Sequence, residues 1–364
     1  MTIKEITQVI EHFAPLPLQE SYDNAGLIIG DPGVEATGAL ITLDVTDDVV
    51  DEAIQNNQNL IIAHHPLIFK GLKKINTRQM IGRLVTKCIK NDIAVYAAHT
   101  NLDNVAEGVN RIIGDKLGLR NQKILDPKQE QLRKLVVFVP ESHAGEVRKA
   151  IFDAGAGHIG NYDSCSFNGQ GQGTFRALEG GNPYVGNKNE IHFEDEIRVE
   201  FIYPKYLEAK ILKTMVESHP YEEVAYDIYP LANKHNQAGA GIVGELVVPE
   251  MTTEFLKRLK RTFGAGCVRR TAITSKKISK VALCGGSGSF LIHKAIASGA
   301  DIYISGDIKY HEFFDADGKI IIADIGHYES EQFTKELLMN LIKKNFSTFA
   351  VQISAVNTNP INYF

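Results

Sequence analysis

The chain has few cysteines and no cysteine pattern: Cys88, Cys165, Cys267 and Cys284 lie far apart and form no CxxC pair. That argues against a disulfide framework and against a thiolate zinc site. No apolar stretch approaches the roughly 20 residues that a membrane-spanning helix needs. The opening segment, MTIKEITQVIEHF, reads as an amphipathic helix and lacks the apolar core of a signal peptide. The expectation is a cytoplasmic protein with no membrane partner. Positive charge is also short, with 39 Lys and Arg against 44 Asp and Glu, a net charge of -5 and a pI near 6.2. That balance disfavours a protein that grips nucleic acid through a basic surface. The local basic runs, Lys257-Arg258, Lys260-Arg261 and Arg269-Arg270, read as solvated helix faces.

What is present is an ordinary globular composition, 44% hydrophobic and 23% charged. A length of 364 residues suggests two or three domains. From Gly38 to about Leu119 apolar β-like runs alternate with helical periods: GALITLDV, then VVDEAIQNN behind a Thr46-Asp47-Asp48 cap, then NLIIAHH, MIGRLVTKCIKND and IAVYAAHT. Near-continuous apolar strands separated by helices predict a parallel sheet covered on both faces. The second half repeats the style with KISKVALCGG, SFLIHKAIASG, ADIYISGD, KIIIADIGH, a long helix ESEQFTKELLMNLIKKNF and a closing strand TFAVQISAV. Between them the order is strand-helix, strand-strand, helix-strand, the ferredoxin-like arrangement. The expected fold class is α/β. Two similar halves, 1–128 and 236–364, would form one core around a metal site, with a ferredoxin-like α+β domain inserted at 129–235.

Metal-loving side chains fall where the apolar runs end. His64-His65 closes NLIIAHH, Asp103 follows IAVYAAHTNLD, and His327 and Glu331 follow KIIIADIGHYESE. Ligands of open α/β sheets bind beyond the carboxyl ends of strands, so these residues can converge. Neighbours on a regular strand point to opposite faces; Pro66 forces a turn that lets the two histidines splay, each towards a different ion. His327 and Glu331, four apart where a helix begins, share one face of it. Taken singly each has a structural reading: a buried hydrogen-bonded histidine for His64 or His65, a helix cap for Asp103, a first-turn acid for Glu331. Together they suit two divalent ions sharing bridging carboxylates. His99 and Asn101 are expected behind them, orienting Asp103 or a water. Lys309 and His311 are expected at the rim, either steadying developing charge or as plain surface residues. Gly285-Gly286-Ser287-Gly288 lacks the pattern of a phosphate-binding loop and reads as a tight turn.

These segments, with SYDNAGLIIG, LIIAHHPLIF, AAHTNLD, SGDIKYHEF and DIGHYESE in the core and GHIGNYDSCSF, GNPYVG and HPYEEVAYDIYP in the middle, resemble the dinuclear metal-centre protein family. Its members are often labelled GTP cyclohydrolase 1 type 2 homologues. The likeness spans essentially the whole chain and matches the longer bacterial form. It implies two ions, commonly zinc or iron, on His64, His65, Asp103, His327 and Glu331. It also implies a toroidal homohexamer and an insert similar to PII and CutA-like domains. One departure is Tyr22, where many relatives carry Trp; this chain has none. The leading expectation is a metal-dependent hydrolase of a small nucleotide-like or phosphorylated molecule, with Lys309 and His311 as candidate catalytic groups. Its rival is a non-catalytic metal-storage, delivery or regulatory ring. Manganese also suits the donor set.

Overall fold

Apolar runs buried on both faces build two sheets of one compact unit. The structure, a computed structural model, describes residues 1–364. One unit comprises Met1–Pro127 and Asn236–Phe364, and a second comprises Lys128–His235. In the first sheet Leu60–Ala63 lies between Ala39–Thr42 and Ala94–Ala97, all three parallel and buried throughout. Gly26–Ile29 adds an antiparallel edge, and Val351–Ile353 closes the other edge in parallel. Helices Asp47–Gln55 and Met80–Lys90 cover this sheet, and Leu40, Val49, Ile61, Leu84 and Val95 fill its core. Thr46 caps Asp47–Gln55 by accepting the Val49 N–H.

The second sheet is built the same way around Lys277–Ser287, Ile302–Gly306 and Ile321–Asp324, again parallel neighbours. Its remaining strands are Arg269–Arg270, His235–Met251 and Leu119–Lys128. The two halves therefore exchange strands. The closing strand, expected with the second half, pairs with Ala39–Thr42 of the first sheet because helix Thr334–Asn345 packs against Ile3–Phe13 and carries the chain back there. Leu119–Lys128, from the first half, completes the second sheet beside His235–Met251. The expected long helix is broken into His327–Glu331 and Thr334–Asn345.

The chain leaves the first unit and re-enters it on neighbouring strands of the second sheet, so a whole domain can be accommodated without stretching either end. That second unit runs Leu132–Pro140, Ala144–Asp153, Ser166–Phe175, His192–Pro204, Glu208–Ser218 and Tyr226–Leu231. Its four strands form one antiparallel sheet, the β-α-β-β-α-β ferredoxin-like order, with a core of Leu135, Val137, Val199, Phe201, Ile151 and Ile211. No helix of the chain is long and apolar enough to cross a membrane.

Candidate metal centre

Parallel strands of both sheets deliver the candidate ligands at their carboxyl ends. Beyond Leu60–Ala63 the backbone keeps its pairing, His64 and His65 donating N–H to the carbonyls of Thr42 and Leu43. Their rings then turn to one side, with centroids 4.9 Å apart. Helix His327–Glu331 starts just past Ile321–Asp324 and places its histidine and glutamate on one face, Nε2 to Oε2 3.0 Å. Glu331 is the centre. Its Oε2 stands 3.0 Å from His65 Nε2 and 3.6 Å from His64 Nε2 as well. Asp103 closes the group from the end of the short helix Thr100–Asp103, with Oδ1 3.7 Å from His64 Nε2. All five residues expected as ligands thus meet, in two groups that share Glu331: His65, His327 and Glu331, and His64, Asp103 and Glu331.

The rear nitrogen of each imidazole is committed. His65 Nδ1 donates to Asp44 at 2.8 Å, His327 Nδ1 to Asp307 at 2.7 Å, and His64 Nδ1 to the Ala98 carbonyl at 2.7 Å. Such partners fix ring orientation and leave Nε2 as the lone pair, the usual dress of metal-binding histidine. His65 Nε2 and His327 Nε2 then lie 3.2 Å apart, two lone pairs facing one carboxylate oxygen. That arrangement is repulsive without a proton or a cation among them. His64 Nε2 and Asp103 Oδ1 are buried and have no hydrogen-bond partner. Donors held about 2.0–2.2 Å from one ion stand roughly 3–3.7 Å apart, the spacing seen here. The residues fit a divalent cation.

Electrostatics point the same way. Burial opposes a charged imidazole at His65, yet its hydrogen bonds to Asp44 and Glu331 raise it to about 9. His327, against the same burial penalty, is raised to about 11 by Asp307 and Glu331. Burial also works against an ionised Glu331, but the imidazoles of His64, His327 and His65 hold it well below the usual carboxylate range. Burial and the neighbouring Glu331 charge lift Asp103 to about 6.

Several contributors escaped the sequence reading. Asp44 and Asp307 look like ordinary turn acids in the chain, while Asp23, in a polar loop that the sequence does mark, holds His99 Nδ1 at 2.7 Å. Asn110 ties the cluster's backbone, donating to the Asp103 carbonyl and accepting from Gly285 N–H. Thr358, far along the chain, donates to Asp44 at 2.8 Å. Gly285 and Gly286, expected in a tight turn, lie instead inside strand Lys277–Ser287 where its register shifts, and the missing side chains have a purpose there. A Cβ on Gly286 (φ +63°) would lie 2.2 Å from Glu331 Oε1, and one on Gly306 would lie 2.8 Å from the His327 backbone.

Other expectations are corrected. Asn101 does not orient Asp103; it accepts the His99 N–H and donates to the Ala14 carbonyl. His99 lies nearer the centre than expected, forming a third potential ligand group with His64 and His65. Asp103 caps no helix, since the next one starts at Val109 behind Gly108. Lys309 and His311 line neither cavity beside the cluster. The 3-10 turn Tyr310–Ala316 swings them outward, His311 packing on Tyr310 and Phe314, while Lys309 gives its backbone N–H to Glu312. Asp307 reaches the cluster in their place.

Two mixed sheets whose parallel central strands end at one buried histidine-carboxylate cluster define the class: an α/β protein with a candidate metal centre. The chain belongs to the Duf34/NIF3 (NGG1p interacting factor 3) family, whose family model matches residues 1–360. A protein of Halalkalibacterium halodurans named GTP cyclohydrolase 1 type 2 homolog is 41% identical over 364 residues, 98% of each chain. The solved structure of a Bacillus cereus protein related to NIF3 superposes with a TM-score of 0.87 at 41% identity, covering 100% of this chain and 99% of that one. A Staphylococcus aureus protein structure gives 0.79 at 31% identity over the same shares.

Gly286→Ala should expel Glu331 from its place, and bound metal measured by elemental analysis should fall sharply. Gly299→Ala is the control: it has a similar backbone (φ +74°) and nothing within 4 Å of the added Cβ, so it should keep its metal. Loss of metal in both would mean that backbone strain, and not the carboxylate, is responsible. A second outcome concerns pH. The raised pKa of His65, about 9, stabilises the metal-free fold below the unfolded value near 6.5, and that contribution is lost as pH rises through 9. The metal-free melting temperature should therefore fall from pH 6.5 to 9, while the increment on adding zinc grows. A flat increment would contradict the assigned protonation.

Proposed function

We propose that the cluster holds two divalent ions, zinc or iron with manganese compatible, and that the protein hydrolyses a small nucleotide-like or phosphorylated molecule. The observation that carries this is the pair of ligand groups sharing Glu331 on the wall of a cavity of about 410 Å³. Divalent ions bound there supply Lewis acidity and lower the pKa of water towards neutrality. The chain's own residues supply the rest. Asp44 and Asp307 keep the Nε2 lone pairs of His65 and His327 aimed at the cluster. Glu331 and Asp103 offset the charge of the ions.

His99 lines the same cavity and is the natural proton carrier. Its Nδ1–H is held by Asp23, so Nε2 is the nitrogen left to accept a proton from attacking water. Burial would raise Asp23, but hydrogen bonds from His99 and Thr100 bring it down to about 2, so it stays ionised and stabilises the imidazolium that forms. A purely metal-storing protein has no need of this pair. Ring opening of GTP, suggested by the relatives' name, is one version of the chemistry.

Elemental analysis should give close to two ions per chain and a clear loss in Glu331→Ala, and His99→Ala should lose turnover on nucleotides or phosphoesters while retaining metal. Full metal with no turnover, and ions surrendered to mild chelators, would favour storage or delivery. The proposal also includes self-assembly, as a toroidal homohexamer. The second unit leaves Phe167 67% and Phe193 60% exposed, two large rings on opposite faces of one strand pair, each suited to burial against another copy. Light scattering should report six chains per particle, and a monomer at micromolar concentration would refute that part.

A further inference from the structure

The cavity beside the cluster has an unusual mouth. Tyr22, Phe69 and Phe290 all line it and are 65%, 43% and 65% exposed. Three large rings left in water around one opening cost solvation unless something flat covers them. Phe69 stands edge-on to His99, centroids 5.5 Å apart, so the aromatic surface runs from the mouth to the proposed proton carrier. The lining contains no lysine or arginine, whereas Glu20, Asp103 and Glu331 all contribute to it. On the other side of the cluster a cavity of about 570 Å³ does contain Arg269, but that guanidinium is already bound to Asp324.

Beyond ions held by Asp103 and Glu331, a polyphosphate chain would thus find no free cationic side chain on either side. Polyphosphate sites normally recruit arginine, lysine or a helix N-terminus. We propose that the recognised part of the substrate is an uncharged planar heterocycle, stacked on Tyr22, Phe69 and Phe290 with its reacting edge towards Glu331 and His99. Phosphate groups, where present, contribute little to binding. This rests on reading the cluster as the reacting centre. Stacking of one ring on an aromatic side chain is worth about 1–3 kcal/mol, or roughly 5- to 150-fold in affinity.

The test is calorimetric titration of the metal-loaded full chain with adenosine, guanosine, pterin and nicotinamide. The triphosphates ATP and GTP are titrated in parallel as their magnesium complexes, at low and high salt. At least one neutral ring should bind, with affinity flat in salt and within about threefold of its triphosphate where one exists. Tyr22→Ala and Phe69→Ala should each weaken it by about tenfold or more at unchanged metal content and melting temperature, and Tyr22→Phe should restore it. The proposal is overturned if no neutral ring binds at 1 mM, if a triphosphate binds tenfold tighter with a steep salt dependence, or if the alanine variants bind like the parent. A ring that binds through these residues without ever being turned over would sink the hydrolase reading and leave the recognition mode standing.

Discussion

One buried carboxylate organises the structure. Glu331 is 3% exposed, and an ionised group that deep costs several kcal/mol unless positive charge is brought to it. Three imidazoles converge on its Oε2, and their rear nitrogens are tied down so that each turns Nε2 towards it. The donors therefore crowd one small volume, which protons on the imidazoles or a bound cation must relieve. The surroundings obey that constraint. Gly286 and Gly306 give up side chains to make room, Asn110 staples the approaching backbones, and the carboxyl ends of parallel strands from both sheets supply the geometry.

Both sheets were legible because their strands are apolar on both faces and separated by helical periods. The five candidate ligands stood out for a related reason. A histidine pair before Pro66, and a histidine four residues ahead of a glutamate, stand out where an apolar run stops. The partners behind them were hidden. Asp44 precedes the obvious cap Thr46, Asp307 follows a strand as turn acids commonly do, and Asp23 sits in a polar loop. Each acts on a histidine far away in the chain, and nothing local marks the pairing. Lys309 and His311 misled for the opposite reason: proximity in sequence to a strand end suggested the rim, but a 3-10 turn reverses their direction.

The exchange of strands between the halves was equally out of reach. Val351–Ile353 carries an ordinary β pattern, which states that a strand exists without naming its neighbour, while Leu119–Lys128 is largely polar and shows no such pattern. Those two crossings stitch the halves into one unit, and the approach of the two sheets is what brings His64 and His65 to Glu331.

The order of the candidate ligands along the chain has a bearing on when a metal site could be completed. A nascent chain that has emerged as far as the insert already displays His64, His65, His99 and Asp103. Both ligand groups that include a carboxylate still await Glu331; the only complete group such a chain possesses is the uncharged trio His64, His65 and His99. An ion met at that stage would find Asp103 beside His64 but not the carboxylate that both groups share. A complete site for an ion, with its shared carboxylate, would therefore exist only once the second sheet has docked.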